Sequence, residues 1–112
     1  MAILVVDDEL DIRESLQELF EDAGYQVVTA ADGAEALALM DGEAPCIVIL
    51  DLVMPKVSGN QVYDSMRRDD RLRAVPVVIA TSDPTRAPRD VPVLRKPIDI
   101  GRLMDVVRKY CH

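Results

Sequence analysis

The chain has 112 residues, of which 49% are hydrophobic and 29% are charged, and its net charge is −7. This length suits one hydrophobic core but not two, so we expect a single domain over residues 1–112. The negative charge argues against sequence-independent binding to nucleic acid or to an anionic membrane, since both depend on basic patches. The apolar run at 2–6 is too short for a signal peptide or a membrane span, and we expect a cytoplasmic protein.

Short apolar runs alternate with amphipathic stretches along the chain. Strands are predicted over residues 2–6, 26–30, 47–50, 77–81 and 91–94, and helices over 12–23, 33–40, 59–68 and 100–110. The run at 47–50 has no polar break and is rich in β-branched residues, as expected for a strand buried on both faces of a parallel sheet. Strand–helix alternation of this kind predicts an α/β fold with right-handed crossovers and helices on both faces of the sheet.

The connection between the fourth and fifth predicted strands breaks this alternation. Only nine residues, 82–90, lie between Thr81 and Val91, and they include Pro84 and Pro88. A parallel crossover that contains a helix needs about ten to twelve residues or more. A proline inside a helix also costs about 3 kcal/mol. We therefore predict a turn or a single 3₁₀ turn here, so that the fourth helix of the pattern is shortened or missing.

Polar residues follow the predicted strands at the points where those strands end. Asp7 and Asp8 follow the first strand, Asp51 follows the third, Thr81 ends the fourth, and Lys96 comes just after the fifth. Parallel strands bring their carboxyl ends to one edge of the sheet, where open α/β sheets place their ligand sites. Three carboxylates, a hydroxyl and an ammonium are therefore expected in one cleft.

This set of groups suits a cation and a phosphoryl group. Carboxylates about 4 Å apart repel one another by about 4 kcal/mol at an effective dielectric of 20. The cluster therefore needs a cation, and oxygen ligands favour a hard one such as Mg²⁺. Lys96 and the Thr81 hydroxyl can each bind an oxygen of a phosphoryl group. Asp51, at the centre of the cluster, is then a candidate phosphoryl acceptor.

Four motifs stand at these strand ends in chain order. They are Asp7-Asp8-Glu9, Asp51-Leu52-Val53-Met54-Pro55 with Ser58-Gly59, Thr81, and Lys96-Pro97. With them the sequence resembles the receiver domain of two-component response regulators over nearly its whole length. The resemblance implies a flavodoxin-like fold, a three-layer sandwich with five parallel strands in the order 2-1-3-4-5. It also implies a phosphoprotein that catalyses only its own Mg²⁺-dependent phosphorylation and its slow dephosphorylation.

The roles of these motifs in similar proteins imply a metal and a phosphoryl donor. A sensor histidine kinase or a histidine phosphotransfer protein would transfer a phosphoryl group to Asp51. Asp8, Asp51 and the backbone carbonyl of Val53 would bind Mg²⁺, and Asp7 would hold the waters of the metal. The signal would pass on through altered protein–protein contacts to an unspecified partner, without direct binding of nucleic acid.

The same resemblance assigns Thr81 and Lys96 to the phosphoryl oxygens. It also makes Pro97 a candidate for a cis peptide bond, which is rare except before proline. The chain departs from the family at Val93, three positions before the lysine, where an aromatic residue usually swings inward and couples phosphorylation to the surface. Val93 has no polar tip. The intact acids, threonine and lysine predict complete phosphorylation chemistry. Val93 and the shortened fourth helix predict an altered output.

Other interpretations of these residues remain open. Paired acids often complement a helix N-terminus, and a strand-end threonine or a loop lysine often has no functional role. The main functional alternative is a degenerate receiver that binds proteins without phosphorylation. An aspartyl-phosphate hydrolase is disfavoured because Val53 stands where its second acid is needed. A nucleotide or flavin binder is disfavoured because Asp7-Asp8-Glu9 would repel phosphate.

The two cysteines, Cys46 and Cys111, do not have the spacing of metal ligands. Cys46 also directly precedes a predicted buried strand. Disulfides are rare in the reducing compartment expected for this protein. The sequence therefore predicts two reduced thiols.

Overall fold

Five parallel strands form one sheet in the computed structural model, which describes residues 1–54 and 56–111. The strands are β1 (Ile3–Val6), β2 (Val27–Ala30), β3 (Ile47–Leu50), β4 (Val77–Thr81) and β5 (Val93–Arg95). Their order is β2-β1-β3-β4-β5, and every neighbouring pair is parallel. The order 2-1-3-4-5 implied by the resemblance is confirmed. All carboxyl ends of the strands consequently lie at one edge.

Four α-helices in the described part of the chain cover the two faces of the sheet. They are α1 (Leu10–Asp22), α2 (Gly33–Met40), α3 (Gly59–Arg68) and α4 (Ile100–Tyr110). Because alternate strand residues point to opposite faces, Ile3 and Val5 pack in a cluster with α1 and α4, whereas Leu4 and Val6 pack with α2 and α3. Within residues 1–54 and 56–111, no helix has the length and hydrophobicity needed to cross a membrane.

The predicted strand at 91–94 begins two residues too early and ends one residue too early. In the structure β5 runs from Val93 to Arg95, and its register pairs Val93 with Ile79 of β4. Pro92 has no N–H to donate, which delays the start of a ladder. Its carbonyl still accepts a hydrogen bond from the Ile79 N–H at 2.9 Å. The shift leaves the position of Lys96, directly after β5, unchanged.

The connection between β4 and β5 contains one 3₁₀ turn, Pro84–Arg86, and no α-helix. The prediction of a shortened crossover is confirmed. The Asp83 side chain caps this turn by accepting a hydrogen bond from the Thr85 N–H at 3.3 Å. The Asn60 amide of α3 donates to the Arg86 carbonyl oxygen at 3.2 Å and fastens the turn to the helix. The connection is therefore short but ordered by specific bonds.

Two glycines allow backbone contacts that bring α2 and α3 close to the β3–α3 loop. A Cβ atom on Gly59 would lie 2.2 Å from the Asp51 carbonyl oxygen, and one on Gly33 would lie 2.4 Å from the Val57 carbonyl oxygen. Neither distance is possible for a real side chain. The helix α3 begins immediately after this contact, with a capping box formed by Ser58 and Gln61. Gly59 thus lets α3 start against the end of β3.

The two cysteines form a disulfide, so the prediction of two reduced thiols is wrong for this structure. Cys46 lies just before β3, and Cys111 directly follows α4, with 5.5 Å between their Cα atoms. The sequence separation of 65 residues gave no sign of this pairing. The two residues meet because α4 runs back across the sheet and ends beside the amino end of β3.

Candidate functional site

Three carboxylates lie together at the carboxyl edge of the sheet. One oxygen from each of Asp7, Asp8 and Asp51 lies within 4.8 Å of the other two. Backbone hydrogen bonds to neighbouring strands hold two of these residues in place. The Asp7 N–H donates to the Ala30 carbonyl oxygen of β2, and the Asp51 N–H donates to the Val6 carbonyl oxygen of β1. Asp7 and Asp51 are only 3% and 4% exposed, whereas Asp8 is open to solvent.

Lys96 brings the opposite charge into this cluster. Its Nζ lies 2.8 Å from Asp7 Oδ2, 3.5 Å from Asp51 Oδ2 and 3.4 Å from Glu9 Oε1, and its side chain is 12% exposed. The Lys96 N–H donates to the Thr81 carbonyl oxygen at 2.9 Å, which continues the β4–β5 ladder. The following peptide bond, Lys96–Pro97, is cis.

Burial and the neighbouring charges shift the pKa values of Asp51 and Lys96. Burial raises the pKa of Asp51, the positive charge of Lys96 opposes this rise, and Asp7 and Asp8 add to it. Burial acts to lower the pKa of Lys96, but the hydrogen bond and charge of Asp7, with the charges of Asp51 and Glu9, outweigh burial and raise it. Lys96 therefore stays protonated to a higher pH than an ordinary lysine, and the surroundings of Asp51 disfavour the ionised form of its carboxyl group.

Thr81 is fully buried at the end of β4. Its Oγ1 accepts a hydrogen bond from the Asp83 N–H at 3.1 Å, which starts the connection to β5. A hydroxyl has one hydrogen to donate besides the lone pairs that accept. The bond to Asp83 uses a lone pair, so the Thr81 hydroxyl keeps its hydrogen for a donor role.

The other two predicted positions, Val53 and Val93, differ in their distance from the cluster. The Val53 N–H donates to Asp51 Oδ1 at 3.4 Å, and its side chain points outward with 48% exposure. Val93 opens β5 and packs, half-buried, against the hydrophobic cluster on the α2 and α3 face. The structure therefore groups Val53 with the carboxylates, whereas Val93 lies half-buried at the border of the core.

Two further residues contact the cluster: Glu9, which was predicted only as part of the Asp7-Asp8-Glu9 motif, and Arg13, which had no predicted role. Glu9 reaches Lys96, and its N–H donates to Asp7 Oδ1 at 2.9 Å. Arg13, the fourth residue of α1, donates a hydrogen bond from its Nη1 to the Asp7 carbonyl oxygen at 2.7 Å. A basic residue six positions after a strand-end acid carries no signal by itself, because the contact depends on how α1 packs against the loop.

The model of the response regulator receiver domain family matches residues 3–108. The chain belongs to this family. Receiver domains are signalling modules of two-component systems. The match covers nearly the whole sequence, and the parallel strand order described above agrees with it.

Individual relatives agree with this assignment. Sporulation initiation phosphotransferase F of Bacillus subtilis strain 168 is 35% identical over an alignment that covers 96% of this chain and 91% of the relative. The probable transcriptional regulator ycf27 of Cyanophora paradoxa is 44% identical over 80 residues, which are 71% of this chain but 32% of that protein. The chain thus spans about a third of the length of such curated relatives.

A solved structure has the same fold. The response regulator TrrA of Thermotoga maritima, in complex with Mg²⁺ and BeF, has a TM-score of 0.85 and 32% sequence identity to this chain. The superposition covers 98% of this chain and 99% of that one.

Proposed function

We propose that this receiver domain takes a phosphoryl group onto Asp51 from the phosphohistidine of a sensor histidine kinase or a histidine phosphotransfer protein. The observation that carries the proposal is the position of Asp51. Its carboxylate is buried at the carboxyl edge of the sheet, with Lys96 Nζ at 3.5 Å and the Asp7 and Asp8 oxygens within 4.8 Å. A carboxylate next to an ammonium group and to oxygen ligands for a metal ion is suited to accept a phosphoryl group.

The transfer requires one bond to form and one to break. An Asp51 carboxylate oxygen attacks the phosphorus and forms a P–O bond. The P–N bond of the donor breaks, and its electron pair returns to the imidazole nitrogen. The ring leaves as neutral imidazole when its other nitrogen carries a proton. The product is an acyl phosphate on Asp51, and no proton needs to pass through this chain.

Lys96 and Thr81 would bind the transferred group. The Lys96 ammonium already lies between Asp7 and Asp51, so a short movement brings it to a phosphoryl oxygen. The Thr81 hydroxyl keeps a hydrogen to donate to a second oxygen. Both groups would position the phosphoryl group and offset its charge, which is the main source of catalysis in phosphoryl transfer.

The donor set fits Mg²⁺. Three carboxylates that converge within 4.8 Å are hard oxygen ligands. Asp8, Asp51 and the Val53 carbonyl would hold the ion, and Asp7 would hold its waters. Bound there, Mg²⁺ would neutralise negative charge on the phosphoryl oxygens. Support comes from the Thermotoga maritima response regulator of the same fold, which was solved with Mg²⁺ and BeF.

The remaining parts of the proposal concern setting and output. We place the protein in the cytoplasm, as one receiver domain over residues 1–112, with no membrane or nucleic-acid contact of its own. Its chemistry is limited to its own phosphorylation and slow dephosphorylation. The name of the Bacillus subtilis relative, a phosphotransferase, supports the proposal that the partner donates a phosphoryl group from phosphohistidine. The downstream partner would be a protein surface that distinguishes the phosphorylated form.

The test is the intact mass of the protein after incubation with acetyl phosphate, with and without Mg²⁺. We expect one added phosphoryl group that requires both Mg²⁺ and Asp51, so Asp51→Asn removes it. Asp64→Asn is the matched control, because Asp64 is an exposed aspartate on α3. Failure of the folded wild-type protein to take up a phosphoryl group, or uptake that persists in Asp51→Asn, would refute the proposal.

The alternative function is a receiver that binds its partner without phosphorylation. Two observations favour it: a half-buried valine, Val93, stands where a mobile aromatic residue is usual, and a 3₁₀ turn replaces the family's fourth helix. Binding of the partner to Asp51→Asn as tightly as to the phosphorylated wild type would identify this function. Binding that depends on acetyl phosphate and is lost in Asp51→Asn would exclude it.

A further inference from the structure

The disulfide between Cys46 and Cys111 lies far from the phosphorylation chemistry. Cys46 precedes β3 and Asp51 follows it, so the two residues are separated by about 16 Å along the strand. Both cysteines are nearly buried, at 8% and 3% exposure, in the cluster that α1 and α4 form with the sheet. The disulfide therefore belongs to the amino edge of the sheet and takes no part in the acid cluster.

The last turn of α4 depends on this bond. The middle of the helix is held by Leu103, Met104 and Val107, which are buried. After Val107, the next three residues are all exposed, and among the described residues that follow, up to residue 111, only Cys111 is buried. The Cys111 N–H donates to the Val107 carbonyl oxygen at 2.8 Å. The end of α4 is thus fastened to the core by one side chain, and that side chain is covalently bound to Cys46.

We propose that the Cys46–Cys111 pair is a thiol–disulfide exchange site that responds to low-molecular-weight thiols of the glutathione class, and that its reduction releases the last turn of α4. A small thiolate attacks one sulfur, the Cys46–Cys111 bond breaks, and a mixed disulfide forms with release of the other cysteine. A second small thiolate then attacks the small-molecule sulfur of this mixed disulfide, and the remaining protein cysteine leaves as its thiolate. Two electrons have moved: the pair is reduced to two thiols, and two small thiols are oxidised to their disulfide.

Two surface grooves give such a molecule a route to the pair. One is lined by both cysteines together with Gly24, Tyr25 and Tyr110. The other is lined by Cys46 together with Pro45 and Tyr110. Tyr110 borders both grooves and is 40% exposed. Release of the last turn would move this tyrosine and widen both approaches, so opening and reduction favour each other.

Folding and redox state are linked by the same contacts. The native fold stabilises the closed disulfide by some amount of free energy. By thermodynamic linkage, the disulfide stabilises the native fold by the same amount. The closed loop spans a sequence separation of 65 residues, so the oxidised unfolded chain loses much of its freedom. The fold therefore favours the oxidised pair and sets the thiol concentration at which it is reduced.

The first test measures the redox response of the full 112-residue protein. It is equilibrated in buffers of increasing ratio of reduced to oxidised glutathione, quenched in acid, and alkylated under denaturing conditions for intact-mass analysis. We expect no alkylated cysteine at the oxidising end, two at the reducing end, and a two-electron dependence between them. Two alkylated cysteines in every buffer would overturn the proposal. So would the absence of alkylated cysteines in every buffer unless a denaturant is present during the redox equilibration.

The second test measures the consequence for α4 by hydrogen exchange of backbone amides. We expect reduction to abolish the protection of residues 108–111 while the amides of β3 keep theirs. The Cys46→Ala variant, which keeps Cys111 but cannot form the bond, should show the reduced pattern in every buffer. Unchanged protection after reduction, or loss of protection across the whole sheet, would overturn the proposal. Neither readout uses phosphorylation, so both outcomes are independent of the function proposed for Asp51.

Discussion

The Lys96 side chain balances the charge of the acid cluster, and in the proposed function it also binds the phosphoryl group. Its ammonium lies 2.8 Å from Asp7 and 3.5 Å from Asp51, and it is nearly shielded from solvent. An ammonium has three donors on a flexible stem. It can therefore keep its bond to Asp7 while another donor turns to a phosphoryl oxygen on Asp51. In the proposed function, the same ammonium would neutralise negative charge before and after phosphorylation.

Removal of this charge is expected to slow phosphorylation of Asp51. Lys96→Met keeps much of the side-chain volume but removes the donor that would face the phosphoryl oxygens. A single preorganised donor of this kind is worth about 10²–10³-fold in rate. We expect a loss of about that size in the single-turnover rate with acetyl phosphate, followed by intact mass over time.

The control for this variant is Lys109→Met, which removes an exposed lysine of α4 far from the site. It should react like wild type. Lys96→Arg retains a cation and should recover part of the rate. Equal rates for Lys96→Met and Lys109→Met would show that the ammonium has no part in the transfer.

At the scale of elements, α3 is placed by a backbone contact with the end of β3. Gly59→Ala would put a Cβ atom 2.2 Å from the Asp51 carbonyl oxygen and 2.7 Å from the Leu52 Cα, and neither backbone atom can swing aside. The helix must shift, and overpacking of this kind costs about 1–3 kcal/mol. We expect the free energy of unfolding in urea to fall by that amount.

Gly42→Ala is the matched control, because its nearest neighbour would be the Leu39 carbonyl oxygen at 3.6 Å, an ordinary contact. It should leave the free energy of unfolding nearly unchanged. Since Gly59 touches Asp51 directly, its alanine variant should also phosphorylate more slowly. Similar stability for the two variants would mean that α3 is free to relax away from β3.

The connection between β4 and β5 gives a pH-dependent signal at Asp83. The Thr85 hydroxyl and N–H donate to this carboxylate and, with Arg86, lower the pKa of Asp83 below its ordinary value of 3.8. Because the folded pKa is the lower one, the unfolded chain binds more protons between the two values. The stabilisation from Asp83 is present above pH 3.8 and is lost as the pH falls through the folded pKa.

NMR titration checks this directly. The Asp83 carboxyl and the Thr85 amide should titrate together, at a pH below the ordinary aspartate value of 3.8. Asp83→Asn should abolish the acid-dependent change at Thr85. A midpoint for Asp83 at or above 3.8 would contradict the lowered pKa.

For the whole molecule, local sequence patterns predict most of the fold and most of the candidate site. The apolar run at Ile47–Leu50 and its neighbours are buried on both faces, as the absence of polar breaks indicated. Strand ends can be located from such runs, and parallel pairing then brings those ends together. This is why Asp7, Asp51 and Lys96 could be grouped before any contact was known. The prolines of 82–90 likewise excluded a helix by local chemistry alone.

The features that escaped prediction depend on where distant elements meet. The Cys46–Cys111 bond depends on the path of α4 across the sheet. Arg71 donates to the Gly42 carbonyl at 3.0 Å and to the Met40 carbonyl, and so caps α2 from the α3–β4 loop. Arg13 and Glu9 contact the acid cluster through the packing of α1. The bonds of Cys46, of Arg71 and of Glu9 with Lys96 join residues far apart in the chain. Arg13 lies only six positions after Asp7, but its contact depends on how α1 packs against the loop. None of these contacts therefore has a local sequence signature.

The acid cluster should destabilise the protein when no cation is bound. Burial and the charges of Asp7 and Asp8 raise the pKa of Asp51 against the opposing charge of Lys96. An acid whose folded pKa is raised makes the fold less stable as the pH rises and the group ionises. In a chelator at pH 7, Asp51→Asn should therefore increase the free energy of unfolding, by an amount on the order of 1 kcal/mol after the offset by Lys96.

Magnesium should reverse this order. A ligand that binds only the folded state stabilises it by about 2.7 kcal/mol at a hundred times its dissociation constant. Wild type, with all three carboxylates, should gain such stability in urea unfolding with added Mg²⁺, whereas Asp51→Asn should gain much less. Asp64→Asn, an exposed substitution outside the cluster, should follow wild type in both conditions. Stabilisation of Asp51→Asn by Mg²⁺ equal to that of wild type would place the ion elsewhere. A loss of stability in Asp51→Asn without the ion would mean that Lys96 more than offsets the repulsion.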